Sequence, residues 1–366
     1  MLRVAFRADG GKNVGMGHIM RCLSLANAFR RDGHKVYFFS KADAGIEVIQ
    51  NEKFDVVRLP SVAQNTEGFF YGSPAELTAE AAAVVSWLHS QQIDVLVVDT
   101  YNVTNEYFQL LKPHVKKLAY IDDINKFSYA VDIIVNGNIT GKYLEYRQYD
   151  GQQLLLLGST YNMIRDEFQN LPARNVRKQV AEIMITTGGA DPYNLTNKLL
   201  AILLHNQQLK TLRMNVLVGS GFTNVEHLIN MSRNHDNVVL YANSVMSASS
   251  PAITYSNISD IMLRSDLALS AGGSTLYEFA ACGTPVLAFV LADNQEFIVQ
   301  KMDELGYVQS MGWYNQLDDN QVVNALLNLM NNFEKRQEMS FKGQRLVDGR
   351  GTERIVKSII NSVQAN

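Results

Sequence analysis

The sequence predicts an α/β protein built from two doubly wound domains. Three observations favour this fold class. Short apolar runs alternate with helical periodicity in both halves of the chain, and the length of 366 residues exceeds what one hydrophobic core usually supports. A polar, proline-containing segment at 170–179 separates the halves. We therefore expect domains at 1–170 and 171–366, and the last helices are candidates for packing back on the first domain.

The first half contains apolar runs that predict buried parallel strands. These runs are 3–8, 35–40, 94–99, 117–122, 132–136 and 154–158. A helix is expected between the first two runs from the spacing of Ile19, Cys22, Leu23, Ala26 and Phe29. Gly33 is a suitable terminator for it. A second helix should open at Pro74, with Ser73 as its cap and Glu76 completing a capping box.

The second half repeats this alternation. The stretch 182–204 reads as a strand, a glycine turn and a helix, and it is followed by the segments 213–221, 237–242, 266–283 and 285–291. Helices are expected in "NQEFIVQKMDELG" and over 319–366. Ligands of doubly wound sheets bind beyond the carboxyl ends of the strands, so two facing domains predict a ligand site in a cleft between them.

Composition excludes several classes of function. Hydrophobic residues make up 46% and charged residues 19% of the chain, with a formal net charge of −3, which gives no electrostatic case for nucleic acid or for an anionic membrane. Cys22 and Cys282 are far apart and predict no disulfide framework. The first strand follows Met1 too closely for a signal peptide, and no apolar run is long enough to span a bilayer. We expect a cytoplasmic protein.

The turn "SAGGSTLYE" at 270–278 has the character of a phosphate-binding turn. Gly272 and Gly273 let ligand oxygens approach the backbone, and Ser274 and Thr275 offer hydroxyls and amides at a helix start. If the ligand is a nucleotide, Glu278 is placed to accept hydrogen bonds from ribose hydroxyls. The alternative is a simple helix cap, because Thr275 and Glu278 also have capping-box spacing.

A second glycine turn, "TTGGADPYN" at 186–194, carries Gly189. Asp191 followed by Pro192 also makes a good helix start, so capping is again the alternative. Two such turns at the edge of one sheet favour a phosphate pocket. Neither turn matches the G-x-x-x-x-G-K-[ST] loop of nucleotide triphosphatases, and a G-x-G-x-x-G dinucleotide fingerprint is missing.

His18 stands in "VGMGHIMRC", at the expected start of the first helix. The positive end of the helix dipole favours a neutral ring there, as a general base requires. The alternative is a helix-start histidine that hydrogen-bonds to nearby backbone. Gly15 and Gly17 beside it, with Asp9 and Arg21 close in sequence, favour a functional site.

Polar residues also follow two apolar runs of the first half. Asp99 and Tyr101 follow one run, and Asp122 and Asp123 follow the next, which brings them to the same sheet edge. Carboxylates in such places also cap helices. No H-E-x-x-H or C-x-x-C motif and no Asp-x-Asp pair is present, so we expect neither a metal nor another cofactor.

These stretches resemble the UDP-sugar hydrolases of pseudaminic acid biosynthesis, which act on UDP-2,4-diacetamido-2,4,6-trideoxy-β-L-altropyranose. The resemblance covers nearly the whole chain. The segments that carry it are "FRADGGKNVGMGHIMRCLSLA", "VVDTYN", "IDD", "GSTYNMIRDEF", "TTGGADPYN", "SAGGSTLYEFAACGTPVLAFVLADNQ" and "VDGRGTERI". The portion with the pattern GGST…E…P…NQ is also similar to the UDP-sugar half of the peptidoglycan N-acetylglucosaminyltransferase.

The resemblance implies a GT-B-like pair of Rossmann-like domains with an interdomain cleft and with UDP held by the C-terminal domain. It implies that His18 is the catalytic residue that activates water and that the Gly272–Thr275 turn binds the diphosphate. Substrate-binding positions expected from the motifs and the resemblance together are Asp9, Gly15, Gly17, Arg21, Tyr101, Asp123, Arg165, Gly189, Ile258, Gly272, Gly273, Ser274, Thr275, Glu278, Asn294 and Gln295.

The expected activity is therefore metal-independent hydrolysis of a UDP-2,4-diacetamido-2,4,6-trideoxyhexose to UDP and the free sugar. Two alternatives remain open. A glycosyltransferase would use the same UDP site with a sugar or lipid acceptor, and a noncatalytic protein would bind the sugar nucleotide without turnover.

Overall fold

The computed structural model describes residues 1–11, 15–60, 73–219, 221–242 and 253–365. Contacts within the chain divide it into two compact units. The first unit comprises Met1–Arg165 and Arg350–Asn366, and the second comprises Asp166–Gly349. The domain limits predicted from the sequence, 1–170 and 171–366, differ from this division in two places. Residues 166–170 group with the second unit, and residues 350–366 group with the first.

The first unit is organised around one parallel sheet. Its strands are β1 (Arg3–Ala8), β2 (Lys35–Ser40), β3 (Asp55–Arg58), β4 (Val95–Asp99), β5 (Lys117–Ile121), β6 (Ile133–Asn136) and β7 (Leu154–Leu157). Among the described residues the strand order is β3-β2-β1-β4-β5-β6-β7, so the chain reverses direction across the sheet between β1 and β4. Ligands of doubly wound sheets bind at this kind of switch point.

Helices cover both faces of the first sheet. They are α1 (Gly17–Arg31), α2 (Asp43–Asn51), α3 (Pro74–Gln91) and α4 (Asn105–Leu111). The expected capping box of α3 is present: the Ser73 hydroxyl accepts from the Glu76 amide, and the Glu76 carboxylate accepts from the Ser73 amide. The apolar side of α1 packs on the sheet through residues such as Cys22 and Phe29, as their helical spacing predicts.

The second unit repeats the architecture. Its strands are β8 (Glu182–Thr186), β9 (Arg213–Leu217), β10 (Val238–Ala242), β11 (Ile253–Tyr255), β12 (Leu267–Ala271), β13 (Val286–Val290) and β14 (Val308–Trp313). The described strands are parallel and follow the order β11-β10-β9-β8-β12-β13-β14. Its switch point therefore lies between β8 and β12, which both precede glycine turns.

The helices of the second unit are α5 (Leu195–His205), α6 (Val225–Asn234), α7 (Ile258–Arg264), α8 (Thr275–Cys282), α9 (Asp293–Glu304), α10 (Asp319–Asn331) and α11 (Phe333–Leu346). The last helix, α12 (Gly351–Gln364), packs on α1 and belongs to the first unit. Its buried side chains Ile355, Val356 and Ile359 complete the core beside β1 and β5. Apolar burial therefore explains why the chain returns to the first unit after α11.

The segment 170–179, predicted to separate the two halves, forms hydrogen bonds and an ion pair with the second unit. Arg174 donates from its backbone amide to Gln344 Oε1 (3.0 Å) and from its guanidinium to Thr284 Oγ1 (2.8 Å). Arg177 forms an ion pair with Asp266 (2.7 Å), and Arg336 donates to the Lys178 carbonyl (2.7 Å). These contacts hold the segment on the second unit, which accounts for the position of the division before it.

Candidate functional site

The polar site of the first unit is built at the carboxyl ends of β1, β4 and β5. These strands are neighbours in one parallel sheet, so the residues that follow them meet at the same edge. The helix α1 begins at this edge, directly after the glycine-containing turn that follows β1. The arrangement brings together His18 and Arg21 of α1, Asp99 at the end of β4, and Tyr101 and Asp123 beyond β4 and β5.

His18 has a carboxylate partner. Its Nδ1 lies 2.6 Å from Asp99 Oδ1, and its ring packs edge-on against Tyr101 with 4.9 Å between ring centroids. The histidine is 6% exposed and Asp99 is fully buried. A carboxylate that accepts from Nδ1 holds the proton on that nitrogen and leaves the lone pair of Nε2 available. The His18 ring thus bonds to a side chain on a neighbouring strand, in contrast to the alternative in which it bonds only to nearby backbone.

Asp99 is held as a carboxylate. Burial acts to raise its pKa, but Arg21 and His18 outweigh burial, so the pKa of Asp99 lies well below its usual range. Arg21 donates to both oxygens of Asp99, from Nε and Nη2, at 2.6 Å each. The Cys22 thiol, at 3.4 Å, is a further donor to Asp99 Oδ2.

Asp123 is surrounded by donors. Arg21 Nη1 lies 2.9 and 2.8 Å from its two oxygens, the Tyr101 hydroxyl donates to Oδ2 (2.8 Å), and Asn138 Nδ2 donates to Oδ1 (2.7 Å). Burial, followed by the charge of Asp123, raises the pKa of Tyr101, so this phenol stays a donor. Asp123 is therefore placed to orient neighbouring side chains, with both of its oxygens already accepting hydrogen bonds.

The turn before α1 is shaped by glycine. Gly11 and Gly15 exchange backbone hydrogen bonds of 3.1 and 2.8 Å, and Gly15 has a φ of +75°, a conformation that favours glycine. Residues 12–14 of this turn lie outside the described residues. Gly17 is exposed and opens the helix one residue before the buried His18.

Two other residues expected to bind substrate are placed differently. Asp9 is buried and lies 2.7 Å from the Arg7 guanidinium, while its other oxygen accepts from the Lys41 amide (2.7 Å). Its carboxylate thus connects the end of β1 with the residue that follows β2. Arg165 is half-buried and stands at the end of the first unit. Asp122, beside Asp123, accepts from the Tyr129 hydroxyl (2.8 Å) and is a structural carboxylate.

In the second unit, the turn after β12 contains backbone amides that form no hydrogen bond with the described part of the protein. Ser274 is the N-cap of α8, but no side chain caps this helix, so the capping box of Thr275 and Glu278 is not formed. The Gly272 amide donates to the Phe289 carbonyl (2.8 Å) and continues the sheet. Within the described chain, the amides of Gly273, Ser274 and Thr275 donate to no protein group. Such amides at a helix start suit an anion.

The glycine turn after β8 adjoins this one. A methyl group on Gly188 would lie 3.8 Å from Thr275 Oγ1, and Gly188 has a φ of +88°. The Gly221 amide donates to the Gly189 carbonyl (2.8 Å), and the approach of Gly219 to the same turn leaves no room for a side chain. Asp191 accepts from the Leu195 and Thr196 amides at 2.8 Å each, so its carboxylate caps α5. The helix itself begins at Leu195 with Asn194 as its N-cap residue, and not directly after Asp191.

Gln295 lies beside the turn after β12. A methyl group on Gly272 would be 3.1 Å from Gln295 Cβ, and Gln295 Oε1 accepts from the Leu291 amide (3.0 Å). Its neighbour Asn294 is exposed in the first turn of α9. Glu278 is half-buried in the first turn of α8, and Ile258 is buried at the start of α7. The structure thus gathers the glycine turns and Gln295 at one edge of the second sheet.

The sequence motifs do not identify three features of these sites. They are Asn138, which donates to Asp123; Gly219, which packs on the glycine turn after β8; and the contact between Asp99 and His18. Asn138 follows β6 and Gly219 follows β9, so both stand beyond the carboxyl ends of parallel strands, where ligand sites form. That position is the signal that could have identified them. No group of three or more His, Cys, Asp or Glu side chains able to hold a metal ion is found within the described ranges.

No known protein-family profile matches the sequence. An uncharacterised protein of Methanocaldococcus jannaschii is 28% identical over 80% of this chain, which spans 56% of that protein's length. The spore coat polysaccharide biosynthesis protein SpsG of Bacillus subtilis is 22% identical, covering 97% of this chain and 96% of SpsG. The UDP-2,4-diacetamido-2,4,6-trideoxy-β-L-altropyranose hydrolase of Campylobacter jejuni is 22% identical, covering 84% of this chain and 98% of the hydrolase.

Solved structures share the fold. MurG of Acinetobacter baumannii superposes with a TM-score of 0.66 at 12% identity, covering 98% of this chain and 99% of MurG. The UDP-GlcNAc 2-epimerase of Neisseria meningitidis gives a TM-score of 0.62 at 12% identity, covering 98% of this chain and all of the epimerase. The expected fold class of two Rossmann-like domains of the GT-B type is confirmed. In the described part of the chain, every helix is too short or too polar to cross a membrane.

Proposed function

We propose that this protein is a UDP-sugar hydrolase that releases UDP and a free sugar. The observation that carries the proposal is the contact between His18 Nδ1 and Asp99 Oδ1 at 2.6 Å, which leaves Nε2 as a proton acceptor. A histidine oriented by a buried carboxylate is the arrangement that activates a hydroxyl or a water for attack. Water is the acceptor in this proposal.

The nucleotide is assigned to the second unit. The amides of Gly273, Ser274 and Thr275 and the positive end of α8 provide donors for a diphosphate without a metal ion. Glu278, in the first turn of the same helix, is assigned to the ribose hydroxyls, and the backbone at Ile258 to the uracil. Asn294 and Gln295 are assigned to the diphosphate and the sugar.

The proposed reaction is an inverting displacement at the anomeric carbon. His18 Nε2 takes a proton from water as the water oxygen bonds to C1, and the bond between C1 and the UDP oxygen breaks with its electron pair leaving on UDP. The charge that grows on the diphosphate is stabilised by the amides of the glycine turn. Neutral His18 leaves Asp99, Asp123 and Arg21 with one net negative charge, which proton uptake by the ring neutralises.

Two relatives support the choice of substrate class. One relative is named as a hydrolase of UDP-2,4-diacetamido-2,4,6-trideoxy-β-L-altropyranose and another as a protein of spore coat polysaccharide biosynthesis. We propose that this chain hydrolyses a UDP-2,4-diacetamido-2,4,6-trideoxyhexose, the β-L-altropyranose being the first to test, and that it supplies a free sugar for nonulosonic acid synthesis in the cytoplasm.

The test is UDP release from a panel of UDP-diacetamido-trideoxyhexoses, with no acceptor added. We expect turnover by the wild type and a loss of about 10²–10⁴-fold in His18→Gln, since a general base contributes that much. UDP binding by His18→Gln should be unchanged, because UDP is assigned to the second unit. The control His205→Gln replaces an exposed histidine of α5 and should retain full activity.

Three outcomes contradict the proposal in different ways. Release of UDP only when a sugar or lipid acceptor is present identifies a glycosyltransferase. Tight binding of a UDP-sugar without turnover over hours identifies a noncatalytic binding protein. More than about a tenth of wild-type turnover in His18→Gln removes His18 from the role of base.

A further inference from the structure

Arg21 is fully engaged by protein groups. Nε and Nη2 donate to the two oxygens of Asp99, and Nη1 donates to Asp123. Nη2 also lies 3.1 Å from His18 Nδ1. The side chain is 18% exposed. Each of the three guanidinium nitrogens thus has a partner in the first unit, whereas binding a phosphate bidentately requires two nitrogens that point to the ligand.

We propose that Arg21 is a positioning residue, which orients Asp99 and Asp123 and sets the charge felt by His18, and that it does not bind the phosphates of the substrate. The kinetic part of this inference rests on the proposed hydrolysis. Through Asp99, Arg21 fixes the ring of His18, and through Asp123 it fixes the hydroxyl of Tyr101. Arg21 follows His18 by three residues, so both side chains lie on the same face of α1.

The charge balance around His18 gives this role a measurable consequence. Within the described ranges, the groups that face the ring are Arg21 and Cys22 of α1, Asp99 of β4, Tyr101 beyond β4 and, through Arg21, Asp123 beyond β5. Burial raises the pKa of Cys22, so its thiol is neutral, and Tyr101 is neutral as well. Among the described residues, Arg21 is therefore the cation that offsets these two carboxylates.

Removing that cation stabilises the protonated ring of His18. In Arg21→Met, Asp99 and Asp123 retain their negative charge beside His18 without compensation, and a nearby charge of this kind shifts a titration by about 1–3 units. We expect the acidic limb of the pH profile of kcat/KM to move upward by about one unit. In Arg21→Lys the charge remains but the bidentate contacts are lost, so kcat should fall while the acidic limb stays in place.

The experiment combines kinetics with NMR. The pH profile of kcat/KM is measured for wild type, Arg21→Met and Arg21→Lys, and the ring of His18, assigned with His18→Gln, is titrated in the substrate-free protein. UDP affinity is measured in parallel, and melting curves verify folding. We expect the ring titration to move to higher pH in Arg21→Met, kcat to change more than KM, and UDP affinity to remain within about threefold of wild type.

Asp123→Asn should shift the ring titration of His18 in the opposite direction. It also serves as a second variant if Arg21→Met does not fold. It removes one negative charge while keeping the shape of the side chain, so the ring titration should move to lower pH. A fall of more than about tenfold in UDP affinity in folded Arg21→Lys, or an unchanged ring titration in both Arg21→Met and Asp123→Asn, overturns the inference. The NMR titration needs no turnover, so it tests Arg21 even if the proposed hydrolysis is wrong.

Discussion

Gly272 and Gly273 are adjacent in the turn after β12, yet a side chain has a different effect at each position. A methyl group on Gly272 would collide with Val299, whereas one on Gly273 would meet no atom within 4 Å. Gly272 is therefore required by packing. At Gly273 the structure itself tolerates alanine, so a need for glycine there can arise only from the close approach of a ligand.

This difference gives a prediction at the scale of single residues. Gly273→Ala should melt at the wild-type temperature or slightly above it, because alanine restricts the unfolded chain more than glycine does. The same variant should bind UDP about tenfold more weakly or worse, since the added methyl group keeps phosphate oxygens away from the amides. Melting curves and calorimetric titration with UDP check both statements. Wild-type UDP affinity in Gly273→Ala would remove the diphosphate from this turn.

His18 and its partner show how far residue patterns reach. The position of His18 at a helix start between two glycines predicts a candidate base, and the apolar runs predict that Asp99 and Asp123 follow neighbouring strands. The choice of Asp99 as the partner depends on the register of β1 with β4, which pairs Ala8 with Asp99 and brings the latter under α1. Register is a property of the assembled sheet, so the pattern along one strand does not contain it.

At the scale of elements, a buried group of charges joins two helices to the first sheet. Glu80 of α3 lies 2.5 Å from Arg7 of β1 and 2.6 Å from Lys41, which follows β2. The Tyr107 hydroxyl of α4 donates to the same carboxylate (2.8 Å). The side chain of Glu80 is 3% exposed. Removal of one partner from a buried ion pair leaves uncompensated charge and costs about 3–5 kcal/mol.

Glu80→Gln should therefore lower the free energy of unfolding at pH 7 by about 3–5 kcal/mol. Tyr107→Phe removes only one hydrogen bond to the same carboxylate and should cost about 0.5–1.5 kcal/mol. Urea unfolding of both variants measures the difference. If Glu80→Gln costs no more than Tyr107→Phe, the carboxylate does not hold these elements together.

The same carboxylate predicts a pH dependence. Burial acts to raise the pKa of Glu80, but Arg7 and Lys41 outweigh burial and lower it from 4.5 to about 2. Because the pKa is lower in the folded state, the stabilisation by Glu80 is complete above pH 4.5 and is lost as the pH falls towards 2. The penalty of Glu80→Gln in urea unfolding should accordingly be smaller at pH 3 than at pH 7.

The elements that the sequence predicts are those with strong periodicity. The runs at 3–8 and 35–40 coincide with β1 and β2, and the capping signals at Ser73 and Pro74 mark the start of α3. The strand β3 is missed because "DVVR" is short and partly exposed at the sheet edge, and β11 has only three residues. Neither segment has the continuous apolar run of four or more residues that marks a buried parallel strand.

At the scale of the whole molecule, the proposed function divides the work between the units. In this proposal the second unit supplies the amides that hold the leaving group, and the first unit supplies the base. Two doubly wound domains and the glycine turns could be predicted from local patterns. The return of α12 to the first unit could be expected only as one candidate arrangement, because its apolar stripe of Ile355, Val356 and Ile359 does not specify which core it joins.

The proposed division of work also predicts which bond breaks. Water could attack C1 of the sugar or the β-phosphorus of the diphosphate. In the proposed reaction the amides of Gly273, Ser274 and Thr275 stabilise UDP as a leaving group, which favours attack at carbon. Attack at phosphorus uses metal ions and a cationic clamp on the reacting phosphate. Among the described residues of the first unit, Arg21, the cation nearest His18, is already engaged by Asp99 and Asp123.

Hydrolysis in water labelled with ¹⁸O distinguishes the two reactions. We expect the label on the C1 hydroxyl of the released sugar and none in UDP, because the water oxygen bonds to C1 and the original bridging oxygen leaves with the diphosphate. Mass spectrometry of both products measures this, and samples must be taken early, since ring opening slowly exchanges the C1 oxygen of a free sugar. Unlabelled sugar incubated with the enzyme in the same water corrects for that exchange. Label in UDP would place the attack at phosphorus, and the glycine-turn amides would then stabilise the reacting phosphate itself.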